Sequence, residues 1–328
     1  MIRLRIKKQR YFQFLIVLFA FLLFVITWIV RGINSSRWDG NGRYTVVLNS
    51  KPIGIFSIEP QKRKVVFTQI REEAMVDVPY GYSTYPASSI FKLGELDGKR
   101  GGGKLLSKSM EYTMGIAVNG FFSIGNDRFP LEINSQTDIE KVKDKYFTLS
   151  GGLTILTSLI FNKTNYKSDI PLVDIWKVWT AIKKTRSDQI YYLNLDNKNI
   201  YDEDKLPDGT VVSLIDKNRL DAALADYFED SKIRNENVTI EIVNATNKER
   251  LASQFTRILT KIGANVLVKS NNPEIRQKAC IIEISDIKLK DIIIIKRLKE
   301  MYSCQLIDKL IDKGQAEIKI TIGEDFNK

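Results

Sequence analysis

Hydrophobic and polar positions change pattern three times along this chain. From Tyr11 to Val30 the sequence YFQFLIVLFAFLLFVITWIV is almost unbroken, with Gln13 and Thr27 its clearly polar side chains. About 20 apolar residues at ~1.5 Å rise cover ~30 Å, the hydrocarbon thickness of a bilayer, and no face of the segment is polar. The expectation is a transmembrane helix over 11–30. A cleaved signal peptide is the alternative, but the run is long for a signal core and TWIVRGINSSRW offers no small-x-small cleavage site.

Beyond a polar, turn-rich tether at 31–43, short β-rich runs take over. Tyr44 to Asn49 and Ile53 to Ile58 flank the turn Ser50-Lys51-Pro52. Val65 to Ile70 and Ala74 to Val78 follow, the last stopped by Pro79. Strands separated by tight turns predict an antiparallel ribbon or meander. Lys104 to Met114 places Leu106, Met110 and Met114 on one helical side, and Ala117 to Ile124 reads as a strand. The run Leu153 to Phe161 is expected as a buried helix. A helix opening at Asp169-Ile170-Pro171 puts Leu172, Ile175, Trp176, Trp179 and Ile182 on one face, with both tryptophans in the core. Gln189 to Asn194 and Thr210 to Ile215 read as strands and Asn218 to Phe228 as a helix. Glu229 to Glu236 (EDSKIRNE) is charged and is expected to be a solvated boundary.

The third pattern is a β-α-β rhythm. Val238 to Val243 is strand-like and Lys248 to Ile262 is amphipathic through Leu251, Phe255, Ile258 and Leu259. Gly263 then stops the helix. Strands at Ala264 to Val268, Ala279 to Ile284 and Ala316 to Ile322, with a helix at Ile292 to Tyr302, complete a small α/β sandwich with helices on one sheet face. The fold class is α/β (α+β) behind an N-terminal transmembrane helix. The expected division is a cytoplasmic tail at 1–10, the span at 11–30, the tether at 31–43, a first domain at 44–230 and a second at 237–328.

Charge sharpens this picture. The net charge is +11, and Arg3, Arg5, Lys7, Lys8 and Arg10 precede the apolar run. That asymmetry orients a single-pass cell-membrane protein with its N-terminus in the cytoplasm and its bulk extracytoplasmic. The remainder is mildly basic and carries no aromatic-studded basic stripe, so no nucleic-acid partner is expected. With no histidine in the chain, Ser-His-Asp and Cys-His catalysis and His-ligated metals are excluded. Cys280 and Cys304 are expected to form a disulfide outside the membrane; two separate core thiols are the alternative. The run Gly98 to Lys104 (GKRGGGK) matches the spacing of a phosphate-binding loop, but Leu105 stands where Ser or Thr must hold Mg²⁺. A flexible turn into a helix is the favoured reading, with a backbone phosphate seat as the alternative.

Two stretches carry a resemblance. The strand ending Val243-Asn244-Ala245-Thr246, then Leu251-Ala252, Ile262-Gly263-Ala264-Asn265-Val266 and the closing Ala316 to Phe326 resemble the C-terminal domain of LytR-CpsA-Psr family proteins. The region from Tyr44 to Ile215 resembles a diverged catalytic domain of the same family. Its matching pieces are Ser57 to Val65, Thr68 to Glu73, Val76-Asp77-Val78-Pro79-Tyr80-Gly81, Gly101 to Leu105 and Gly115 to Val118.

The resemblance implies a cell-envelope role. Active members transfer glycopolymers from a polyprenyl-pyrophosphate carrier to peptidoglycan, using aspartates for Mg²⁺ and arginines for the pyrophosphate. Arg71 stands at the arginine of the family's Pro-Arg-Asp triplet, with Ile70 replacing the proline and Glu72 the aspartate. Gly42-Arg43-Tyr44-Thr45 matches an Arg-Ser-Asp-Thr element, so Tyr44 replaces a metal-binding aspartate. Arg71 and Glu72 are therefore the candidate catalytic residues and Glu72 the candidate metal ligand. Arg43, Lys104 and Arg128 are the candidate substrate-binding cations. The expected function is a non-catalytic, membrane-anchored envelope protein that binds a lipid-linked or cell-wall polymer or an envelope partner. A diverged phosphotransferase with Mg²⁺ as cofactor is the alternative.

Overall fold

The computed structural model describes residues 16, 19, 23, 27, 30–124, 129–131, 133–161, 166–275, 277–312 and 316–326. The expected span at 11–30 thus lies largely outside the described residues. Among those described, no helix is long and apolar enough to cross a membrane.

Among the described residues there are three large sheets and a two-stranded pair of β2 (Ser50–Lys51) with β8 (Phe129–Pro130). The meander expected near the start is present as β1 (Tyr44–Leu48), β3 (Ile53–Glu59) and β4 (Lys64–Ile70), paired antiparallel with Tyr44 opposite Ile58 and Ile53 opposite Ile70. A short β2 (Ser50–Lys51) intervenes, and the turn into β4 places Arg63 at φ 50. The meander is only the middle of a mixed six-stranded sheet. β7 (Gly120–Ile124) runs parallel to β1 and β10 (Ile190–Leu193) parallel to β4, with β9 (Tyr166–Ser168) on the outer edge of β7. Parallel neighbours need long crossovers. Helix α2 (Gly102–Met114) is one of them and buries Leu105, Leu106, Met110 and Met114 against the sheet. Before it comes α1 (Ile90–Asp97). A second sheet of β11 (Tyr201–Lys205), β12 (Val211–Ile215), β5 (Ala74–Asp77) and β6 (Thr84–Pro86) shares that core.

The third sheet is the predicted α/β rhythm with one strand more than expected, edged by β14 (Asn265–Asn271) and β16 (Gln305–Leu310). Ile240 and Ile242 of β13 (Thr239–Asn244), Ile282 and Ile284 of β15 (Ile281–Ile284), and Ile318 and Ile320 of β17 (Ile318–Ile322) bury one face. The helices Leu251–Lys261 and Ile293–Tyr302 cover it. Phe255 sits at its centre, edge-on to Tyr302 and Phe326 with centroids 4.8 Å away in each case. Cys280 and Cys304 are bonded, both 3% exposed, and staple the start of β15 to the end of the second helix.

Four expectations change. The tether at 31–43 is packed rather than free. Trp38 is buried, its indole donates to the Gly42 carbonyl, and the Ser36 hydroxyl and the Arg37 amide both donate to the buried carboxylate of Asp174. The stretch Glu229–Glu236 is a packed junction, because Asp230 and Ile233 are buried and Asp230 caps the short helix Ser231–Glu236. The apolar helix Leu149–Phe161 is not sunk in the core along the side carrying Leu149 and Leu153, which are 71% and 62% exposed. Trp176, expected inside, is also exposed, while Trp179 is buried.

Candidate functional site

Arg71 leaves the end of β4 at a turn into β5, where backbone pairing stops and a side chain can face outward. Its Nε donates to Asp196 Oδ1 at 2.5 Å, and its guanidinium lies 4.5 Å over the Tyr201 ring. The Tyr201 hydroxyl accepts from the Arg71 amide at 3.4 Å. Partial burial would lower the guanidinium pKa, but the hydrogen bond and charge of Asp196 outweigh it and hold the group above its usual value. Glu72 and Glu73 follow directly in the chain, and Glu73 adds its field at Arg71. One guanidinium among these carboxylates makes a poor seat for a pyrophosphate, since like charges repel at such range. Asp196 and Tyr201 were not legible as its neighbours: Asp196 lies 125 residues on and reaches Arg71 only because β10 pairs with β4.

Arg43 stands at the other end of the same sheet. β4 runs from the level of Glu59 to Arg71, so about seven residues at ~3.3 Å put the two arginines roughly 20 Å apart. Arg43 is also spent. Its Nη2 pairs with Glu59 Oε2 at 2.7 Å, Nη1 donates to Ser57 Oγ at 3.0 Å and Nε to the Glu229 carbonyl at 2.8 Å. Its amide donates to Asp230 Oδ2 and its carbonyl accepts from Arg297, each at 2.8 Å. Burial lowers its pKa, and Glu59 and Asp230 oppose that shift. The candidate substrate cation Arg43 is thus a structural ion pair at the junction of the two cores. A crevice there of about 20 Å³, lined by Arg43, Asn119, Asp230, Arg297 and Met301 among others, has room for one water.

Lys104 lies in the first turn of α2 beside β7, three strands across from β4, or roughly 14 Å at ~4.8 Å per strand. Its field reaches Asp169, whose carboxyl burial holds above the usual range. Arg128 lies outside the described residues. The sheet therefore does not bring Arg43, Arg71 and Lys104 together.

The glycine run before α2 serves packing. An added Cβ at Gly102 would stand 2.3 Å from the Phe91 carbonyl oxygen, and one at Gly103 would stand 2.1 Å from the Phe121 ring. The Gly102 amide, where an anion would sit, already donates to Glu95 Oε1 at 2.9 Å, and Glu95 pairs with Lys167 at 2.7 Å. A carboxylate of the chain itself occupies that seat.

Tyr44, which the resemblance sets at a metal-ligand position, offers no ligand to a Mg²⁺ ion. Tyr44 is 1% exposed and stacks on Trp38 with centroids 4.8 Å apart; burial drives its hydroxyl pKa upward, away from an anionic ligand. No group of three potential metal-ligating residues converges among the described residues.

No protein-family model matches the chain, and no curated protein matches it. Solved structures do show a likeness. Bacillus subtilis TagV is 10% identical, with a TM-score of 0.41 over 57% of this chain and 95% of that one. The LytR-CPS2A-psr family protein YwtF (TagT), solved with bound octaprenyl pyrophosphate lipid, is 12% identical, with a TM-score of 0.37 over 57% of this chain and 89% of that one. The Streptococcus agalactiae protein gbs0355 is 13% identical, with a TM-score of 0.40 over 55% and 84%. This likeness concerns the fold, not the chemistry of the site.

Proposed function

We propose that this chain is a membrane-anchored, extracytoplasmic envelope protein of the LytR-CpsA-Psr type that has given up phosphotransfer and binds a lipid-linked or cell-wall polymer. Envelope placement is supported by the apolar run at 11–30 with its basic N-terminal flank, and the family type by the motifs at 57–81 and 238–326. The observation that carries the non-catalytic reading is the fate of the arginines. Arg71 and Arg43 stand at opposite ends of one sheet, each engaged by a carboxylate of the chain itself. Phosphoryl transfer needs several cations aimed at one pyrophosphate together with a metal held by carboxylates, and Tyr44 fills the position of one such ligand. The phosphotransferase alternative relies on Arg71 and Glu72, with Arg43, Lys104 or Arg128 as substitute cations.

The test uses the full chain reconstituted with a polyprenyl-pyrophosphate-linked glycopolymer and Mg²⁺. The expected result is co-sedimentation of polymer with no polyprenyl phosphate released. Mg²⁺-dependent release that Arg71→Ala abolishes would replace this proposal with the phosphotransferase reading.

A further inference from the structure

The helix Leu149–Phe161 poses a packing question. Its sequence LSGGLTILTSLIF carries no charge, and none occurs from Phe147 to Asn162. Yet Leu149 and Leu153, one turn apart, are more than half exposed. Such a face on a stable protein marks a surface that something apolar covers.

The surroundings say what. Trp179 fastens this helix to the helix Leu172–Lys184: an added Cβ at Gly152 would stand 2.3 Å from the Trp179 ring, and the indole donates to the Tyr146 carbonyl at 3.1 Å. Trp176 stacks on Trp179 with centroids 4.8 Å apart and stays 40% exposed. One turn before Trp176, about 5 Å along the axis, Val173 lies against Gly32, where the helical stretch 30–34 ends. The next residues are clamped to the same helix by Asp174, which accepts from Ser36 and Arg37, while Lys177 donates to Ser36. The chain immediately after the apolar segment 11–30 is thus fixed within a turn of the exposed tryptophan. Tyr146, Lys145, Lys183 and Lys184 are exposed nearby, with the Lys145 ammonium 5.1 Å from the Tyr146 ring centroid and the Lys183 ammonium 5.1 Å from that of Trp179.

An apolar helix rimmed by Trp, Tyr and Lys is the composition of an interfacial membrane segment, with rings at headgroup level and ammonium groups toward anionic lipid. We infer that Leu149–Phe161 lies in the outer-leaflet headgroup region and, with Trp176, holds the ectodomain flat against the bilayer beside its anchor. This rests on the anchor reading above. A rigid, short connection leaves the protein little freedom to stand away from the membrane, so a lipid-linked polymer would meet it at the bilayer surface.

The test is depth-dependent quenching. The full chain carries a single environment-sensitive fluorophore at Leu153→Cys, at Leu23→Cys within the anchor, or at Leu214→Cys on β12; the native cysteines are bonded to each other. Each is reconstituted in phosphatidylcholine–phosphatidylglycerol vesicles with a nitroxide at headgroup depth or mid-chain. The expected result is strong quenching at 153 by the headgroup nitroxide, quenching at 23 by the mid-chain nitroxide, and none at 214. Lys145→Glu with Lys183→Glu lowers the quenching at 153 severalfold. Quenching at 23 without quenching at 153 overturns the inference and leaves the anchor standing. Loss at both overturns the anchor reading and the inference with it. Equal quenching at 153 and 214 overturns the specific orientation.

Discussion

Replacing Arg43 by Met separates a structural cation from a substrate-binding one. Met keeps the unbranched stem and removes the guanidinium. The change leaves Glu59, its side chain 2% exposed, with the Ser231 amide and hydroxyl as hydrogen-bond donors and the solvent-exposed Lys62 ammonium 3.9 Å away. It also strips Ser57 Oγ and the Glu229 carbonyl of a partner. Breaking a buried pair from one side costs about 3–5 kcal/mol, because the remaining charge stays desolvated. At roughly 2–4 °C per kcal/mol for a chain of this size, Tm falls by about 6–20 °C. Removing both charges with Arg43→Met and Glu59→Leu together restores most of the loss, as no charge is left without a partner. The assay is thermal unfolding followed by circular dichroism on the full chain in detergent, with polymer co-sedimentation at a temperature where each variant is folded. An unchanged Tm together with lost polymer binding would refute the structural assignment. A double variant as unstable as the single one would place the cost in packing rather than charge.

Other outcomes follow from the same geometry. Gly103→Ala drives a methyl group into the Phe121 ring, 2.1 Å away in the undisturbed structure, and lowers stability by about 1–3 kcal/mol in denaturant titration. Opening the Cys280–Cys304 bond, which spans a sequence separation of 24, lowers stability by roughly 3 kcal/mol, measured as the Tm difference with and without reductant. Arg71→Ala changes stability by no more than about 1 kcal/mol, because its pair with Asp196 is solvent-exposed. Asp221 gives a pH signature. Partial burial would raise its pKa, but Arg257 and Lys261 hold it below the usual value of 3.8. A depressed carboxylate contributes stability that is present above its unfolded pKa and lost as pH falls through the folded one. Amide exchange in Leu251–Lys261 should therefore accelerate below about pH 4, and Asp221→Asn should remove that acid-dependent step.

Periodicity read the faces of this chain better than it read their partners. The row Leu251, Phe255, Ile258 and Leu259 is buried as its spacing implies, and so are Leu106, Met110 and Met114. Alternation along 44–70 found the strands of the meander, because local turns join them. It could not find that β1 lies against β7 or β4 against β10, since those partners are separated by whole helices. The same limit hid the site. Arg43 reads as an exposed cation next to a polar tether, and only Glu59, Ser57, Glu229 and Asp230 together turn it inward. The helix Leu149–Phe161 misled for a different reason: uniform apolarity distinguishes neither a core nor a lipid surface.

The burial of Tyr44 and the burial of Arg43 are connected. An aspartate at 44 would need solvent or a cation, whereas Tyr44 is covered by Trp38, which the ordered segment before β1 delivers. That segment is ordered because Asp174 and Lys177 hold it. Arg43, on the other strand face, is enclosed between Glu59 and Asp230, and its backbone engages Asp230 and Arg297 from the second core. Arg297 also stands 3.6 Å from Asp230, so the pairs share members across the junction. This end of the sheet locks the first core to the second. On the proposed reading, Tyr44→Asp alone would not confer phosphotransfer. The new carboxylate would lie on the opposite strand face from Arg43, under Trp38 and in the field of Asp174 and Asp169, and the cost of an uncompensated buried charge would appear as lost stability before any phosphotransfer could be measured.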